Sequence, residues 1–286
     1  MSVKIIVDSA SDIGLRFAKE HDLGFAPLKT NLGGVEYRDG IDITPDVFYG
    51  MLEANKELAH TSQVNTGEFA DLFACEVQAG NDVVVITLSS GLSGTCQSAR
   101  VAAAEYPDRV FVVDSLSATA GEQVLIARAI ALRDAGKTAR EIYDELDVLR
   151  KKARLFVRVE TLEYLKRGGR ISKTAALFGG LLSIMPVLTL DGEGKLETVG
   201  KARGMKMSHK MMNDSITAAG GIDFSMPVVI TYAGDIADGT VQKYLDDSKE
   251  IYEGHEDQLM IGQLGCVIGT HTGPGAIVVS FIPKAQ

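Results

Sequence analysis

Hydroxyl groups dominate the loops of this chain that could do chemistry. Ser89-Ser90-Gly91-Leu92-Ser93-Gly94-Thr95 stands between an apolar run and a helical stretch, and His60-Thr61-Ser62-Gln63 precedes another helix. At a helix start, backbone N–H groups point outward and favour an anion. Small and hydroxylic residues around such a start can wrap a carboxylate or a phosphate closely. Arg170, after Gly168-Gly169, adds a fixed charge with planar donors. His271 reads as part of a loop, Gly269 to Gly275, whose glycines permit close backbone approach. Plainer readings stand beside each of these. The hydroxyl loops also suit caps and turns, Arg170 a salt bridge, and His271 a structural histidine. Asp8 and Asp114, each followed by Ser, read as turn caps at strand ends. Unaided, the residues describe a small-anion site of open chemistry.

The familiar catalytic signatures are missing. No Gly-x-Gly-x-x-Gly follows the first apolar run, so a dinucleotide site has no support. Gly136-Lys137-Thr138 imitates the end of a P-loop, but Ala131 holds the place of its upstream glycine. Gly91-Leu92-Ser93-Gly94 resembles a nucleophile elbow with its second glycine one residue early. The five histidines show no metal-ligand spacing and the three cysteines no Cys-x-x-Cys pair, so neither a catalytic metal nor a cofactor is expected. A net charge of −9, from 29 basic and 38 acidic side chains over 286 residues, argues against nucleic acid as a partner. No apolar run approaches the roughly 18 residues that cross a bilayer, so no stable membrane insertion is expected. The opening Ile5-Ile6-Val7 stretch is too short for a signal peptide, and the expected location is the cytoplasm.

The elements that must position these loops alternate. Short β-rich runs (Lys4 to Val7, Asp82 to Leu88, Arg109 to Val113, Leu155 to Val159, Val228 to Tyr232, Leu259 to Gln263, Ala276 to Ile282) interleave with amphipathic ones. Helices are predicted from Thr44-Pro45, from a Thr66 cap, over Gly94 to Tyr106, over Gly121 to Ala135, and after a capping box at Thr138 to Glu141. Later helices are predicted near Thr161 to Lys166, Met205 to Ala219 and Thr240 to Tyr252, and a glycine-rich hairpin at Asp191 to Gly194. The pattern is α/β in two lobes, 1–153 and 154–286. The first reads as a doubly wound, mainly parallel sheet, and the second as a mixed sheet with helices.

Six blocks together resemble the DegV family of bacterial fatty-acid-binding proteins. They are Val7-Asp8-Ser9, Thr61-Ser62-Gln63, Ser89 to Thr95, Val113-Asp114-Ser115, Leu162 to Ser172 and His271 to Gly275, in family order over nearly the whole chain. Val64 departs from the proline common after Thr-Ser-Gln. The resemblance implies a lipid-binding carrier, not an enzyme, that holds one long-chain fatty acid such as palmitate. It would present the carboxylate to an ATP-dependent fatty acid kinase in lipid transport and fatty acid metabolism. Carried over by position, Thr61 and Ser93 would hydrogen-bond the carboxylate, Ser62 would belong to the same ligand site, and Arg170 and His271 would contribute charge and orient those hydroxyls. Arg203, in the basic stretch with Lys201, Lys206 and Lys210, would contact the kinase. Candidate tail-lining residues are Ala175, Ala176, Leu177, Phe178, Leu181, Leu182 and Ile184. Two alternatives stay open: a serine-dependent acyl hydrolase or transferase using Ser93 with His271 as base, and a lipid-sensing regulatory module without a kinase.

Overall fold

Val83 to Ile86 are fully buried, and so are Ile5, Ile6 and Val7. Runs with no polar face are what a parallel sheet covered by helices on both sides demands. In the computed structural model, which describes residues 2–54, 59–171, 184–234 and 239–285, these runs form β1 (Val3–Asp8) and β6 (Asp82–Thr87). Between them lie α1 (Gly14–Glu20), β2 (Leu23–Ala26), β3 (Lys29–Leu32), β4 (Val35–Arg38), α2 (Pro45–Ala54), β5 (His60–Ser62) and α3 (Thr66–Gln78). After β6 come α4 (Thr95–Ala103), β7 (Val110–Asp114), α5 (Ala120–Asp134) and α6 (Ala139–Lys152). The order β2-β1-β6-β7 is parallel throughout, and a separate antiparallel sheet runs β4-β3-β5.

The rest of the chain builds one mixed sheet. Its elements are β8 (Arg154–Arg158), α7 (Glu163–Arg167), β9 (Ile184–Leu190), β10 (Leu196–Arg203), α8 (Met205–Ala218), β11 (Val228–Tyr232), α9 (Thr240–Asp247), α10 (Lys249–Tyr252), β12 (Leu259–Gln263), α11 (Cys266–Thr272) and β13 (Ile277–Phe281). The order is β10-β9-β8-β13-β11-β12, antiparallel except for β11 and β12. The architecture is therefore α/β, with a parallel sheet, a mixed sheet and covering helices. A single buried apolar cluster runs from Ile5 and Val84 through Leu125 to Leu155, Val157 and Val278, so the two main sheets share one core.

Local signals were strongest where they were complete. Thr138 and Glu141 form the expected capping box, and the stripe Ile142, Leu146, Leu149 faces the core from α6. The hairpin between β9 and β10 turns through Asp191 to Gly194, with Gly194 at φ 71. Other expectations need correction. Asn65, not Thr66, caps α3, its side chain accepting from Glu68 N. The helix expected over 240–252 breaks at Ser248, whose hydroxyl is drawn to Asn213 of α8 (3.1 Å), a side-chain bond that competes with the helix. The strand β5 was read as a loop, and β2, β3 and β4 were not expected at all. Strands of three or four residues, partly exposed, leave no period to detect.

Candidate functional site

The principal correction concerns His271. It sits in the last turn of α11, not in a loop. Asp39 accepts from Cys266 N (3.0 Å) and Val267 N (3.4 Å), which satisfies the first N–H groups of that helix. Gly269 is helical because α11 presses on α2: a Cβ there would lie 2.5 Å from Tyr49 Oη. The helix stops at Gly273, whose φ of 70° and ψ of 176° belong to glycine, and where Tyr164 fills the space of a Cβ. The glycines thus serve close packing around a helix rather than a loop.

From this position His271 Nε2 lies 2.8 Å from Thr61 Oγ1 on β5. Its Nδ1 is buried without a hydrogen-bond partner among the described residues, and it crowds Gly168, where a Cβ would be 2.1 Å away. Burial pushes the His271 imidazole down to about 4, and the Arg170 guanidinium adds to this, so the ring is neutral near pH 7. Arg170 itself bridges the two sheets' loops: Nε donates to Leu92 O (3.1 Å) and Nη1 to Gly168 O (2.6 Å). Ser93 ends the turn that opens α4. Its Oγ lies 3.0 Å from Thr95 Oγ1 and accepts from Thr95 N at 3.2 Å. That turn rests on the β9–β10 hairpin, with Ser89 Oγ donating to Gly194 O (2.8 Å).

All five of these side chains, Thr61, Ser62, Ser93, Arg170 and His271, line one cavity of about 330 Å³. The polar groups gather where β5, the α4 turn and α11 meet. The rest of the lining is mainly apolar, supplied among others by Leu155 and Val157 of β8, Leu188 of β9, Val278 of β13, and Val267 and Ile268 of α11. For scale, an engineered cavity of roughly 150 Å³ stays dry and admits benzene. Arg203 is not part of this site; it is exposed at the far end of the edge strand β10. Ile184 opens β9 and does not line the cavity. Ala175, Ala176, Leu177, Phe178, Leu181 and Leu182 lie outside the described residues. Among the described residues no three His, Cys, Asp or Glu side chains are placed to hold a metal ion, and no helix is long and apolar enough to cross a membrane.

The DegV family model, described as a family of uncharacterised proteins, matches residues 2–284. The chain belongs to the DegV family. A DegV domain-containing protein of Clostridium perfringens is 33% identical over 286 residues, which span 97% of this chain and 96% of that protein. A solved DegV family structure from Thermus thermophilus, described as fatty-acid binding, superposes with a TM-score of 0.87 at 32% identity and covers 99% of this chain and 100% of its own. A stearic-acid-binding protein from Eubacterium ventriosum gives 0.84 at 28% identity, with 99% of each chain covered.

Beside the cavity of this DegV chain lie buried acidic residues, most of which carried no sequence signal. Asp8, Asp39 and Glu122 are buried, as are the carboxyl oxygens of Asp12. Burial pushes the Asp8 carboxyl up to about 7, burial alone raises Asp39, and burial with like charge raises Asp12 and Glu122. Thr119 sits beside them on the cavity wall with a φ of 47°, a rare value for a β-branched residue, and its Oγ1 lies 3.0 Å from Thr231 Oγ1. Only Asp8-Ser9 gave a sequence signal, and it was the right one for a cap: Oδ1 accepts from Ala10 N at 3.0 Å. The wall residues Leu155, Val157, Leu188 and Val278 gave none, because a strand residue facing a cavity has the same pattern as one facing a core.

Proposed function

We propose that this chain is a carrier for one long-chain fatty acid, its carboxylate at the Thr61–Ser93 end and its acyl chain along the apolar walls. The carrying observation is one cavity lined both by hydroxyls, a neutral imidazole and a guanidinium and by leucine and valine side chains. Each buried methylene contributes about 0.8 kcal/mol, so a sixteen-carbon tail brings on the order of 10 kcal/mol before ordering costs. The fatty acids named for the solved relatives support the same ligand class. In this reading the lobes divide at 153/154; the first brings Thr61, Ser62 and Ser93, the second Arg170 and His271. The expected result is a stoichiometric fatty acid released from the denatured, purified protein and seen by mass spectrometry. A protein that is empty as purified and fails to take up palmitate afterwards would refute the proposal.

The geometry weighs against an acyl hydrolase. A serine nucleophile needs a base within hydrogen-bond reach, yet His271 Nε2 is engaged with Thr61 and Ser93 Oγ with Thr95. The carried acid would then be activated elsewhere, by an ATP-dependent fatty acid kinase that docks on the Arg203 patch. Exposed Met207 and Val199 accompany Lys201, Arg203 and Lys206 there, giving an acidic protein a local surface of opposite sign. Complementary charge speeds encounter. Arg203→Glu is expected to slow acyl-phosphate formation, with the defect relieved at higher protein concentration and sensitive to salt, while palmitate affinity is unchanged. A kinase rate equal to wild type across a concentration series would place docking elsewhere.

A further inference from the structure

Thr61 and Ser93 come from different elements, and a carboxylate can use both only if their separation is held. Thr61 lies on β5, three residues paired with β3 alone; Ser93 lies in the turn before α4. The side chain that spans the gap is Gln63, one residue past β5. Its Nε2 donates to Ser98 Oγ at 2.8 Å, one turn inside α4. Its amide passes close by Gly94, where a Cβ would be 2.1 Å from Oε1 and 2.9 Å from Cδ. Gly94 has an ordinary helical φ of −76°, so its backbone does not require glycine; the passage of Gln63 does. The next residue, Val64, is fully buried and anchors the segment from its other side. Gln63 also lines the cavity.

We infer that Gln63 is a positioning residue, which sets the spacing of the Thr61 and Ser93 hydroxyls and thereby the preference of the cavity for a carboxylate head over an uncharged one. This rests on the reading above, in which those hydroxyls receive the carboxylate. A carboxylate presents two charged oxygens a fixed distance apart, each able to accept from its own donor, whereas an alcohol of the same length presents one uncharged oxygen. Two donors at a fixed separation therefore discriminate between the heads, and two donors free to drift do not. The tail is untouched by the change, so its contribution is common to both ligands.

The test compares palmitic acid with hexadecan-1-ol on the delipidated full-length protein by calorimetry. In Gln63→Ala the preference for the acid is expected to fall about tenfold or more, the loss typical of a hydrogen bond to a charged group, with alcohol affinity nearly unchanged. Gln63→Met, which keeps the length and removes the amide, is expected to match it. Gly94→Ala, whose new Cβ displaces the amide, is expected to reproduce the loss, and Gln63→Ala/Gly94→Ala to be no worse than either single change. A folded Gln63→Ala or Gln63→Met protein that keeps the wild-type preference overturns the inference, and so do additive effects in the double variant. Thr61→Ala and Ser93→Ala separate the two ideas. If neither lowers the preference, the carboxylate reading itself fails; if both do and the Gln63 variants do not, only the positioning role fails.

Discussion

Thr61→Ala and Ser93→Ala are each expected to weaken palmitate binding by about 1.5–3 kcal/mol, roughly ten- to a hundredfold, since each removes a hydroxyl bond to a charged group. The two variants differ in what else they disturb. Ser93 Oγ accepts from Thr95 N in the turn before α4, so its loss also removes one local hydrogen bond, worth about 1 kcal/mol of stability. That lowers the melting temperature by about 2–4 °C in a chain of this size. Thr61→Ala leaves His271 Nε2 without its partner, a smaller disturbance because the ring is neutral and the Thr61 side chain is only half-buried. Affinity for palmitate, measured by calorimetry on protein shown to be folded, checks both. Wild-type affinity in both variants would remove the carboxylate from this end of the cavity.

A second large effect is expected from Glu122→Gln, in stability rather than binding. Glu122 lies in the first turn of α5, fully buried, and neither carboxyl oxygen has a well-formed hydrogen bond; the Thr119 N–H makes only a weak contact. Burial raises its pKa well above the usual range, and the carboxyls of Asp8, Asp12 and Asp114 raise it further. The folded chain therefore holds this proton, and the unfolded chain releases it above the ordinary carboxylate range. Below that range both states are protonated, so Glu and Gln are equivalent. Above it, the wild type loses about 1.4 kcal/mol relative to Gln for each pH unit, until the raised pKa is passed. Between pH 5 and pH 7 the advantage of Glu122→Gln is expected to widen steadily as the pH rises, read as a growing gap between the two melting temperatures. Asp8, Asp12 and Asp39 remain in both proteins, so the difference isolates Glu122. Melting curves whose separation does not change with pH would show that this carboxyl is not held neutral.

What could be read in the sequence depended on how far apart the deciding residues lie. The capping box at Thr138 and Glu141, the stripe along α6, and the turn Asp191 to Gly194 are settled within a few neighbours, and they fold as read. The strands β6 and β11 were legible because a short, mostly apolar run of that length has few other uses. The hydroxyl-rich blocks marked the loops that could meet an anion, and six of them in order pointed to the family to which the chain belongs.

Tertiary structure decided the rest, and each case has a distant cause. His271 became helical because Asp39, more than two hundred residues earlier, receives the first N–H groups of α11, and because Gly269 admits Tyr49. The small sheet that carries Thr61 exists through pairing with β3, and its short strands have no pattern of their own. The role of Gln63 depends on Gly94 and Ser98, some thirty residues away in sequence. Buried carboxyls at Asp12 and Glu122 look, in sequence, like any solvated acid; only the packing of the folded chain removes their water. Composition and local periodicity determine which segments become strands, helices and hydroxyl-rich turns, since those choices turn on neighbours within a few residues. Which side chains share one cavity, and which of them are neutral there, is decided by packing between segments that only the folded chain brings together.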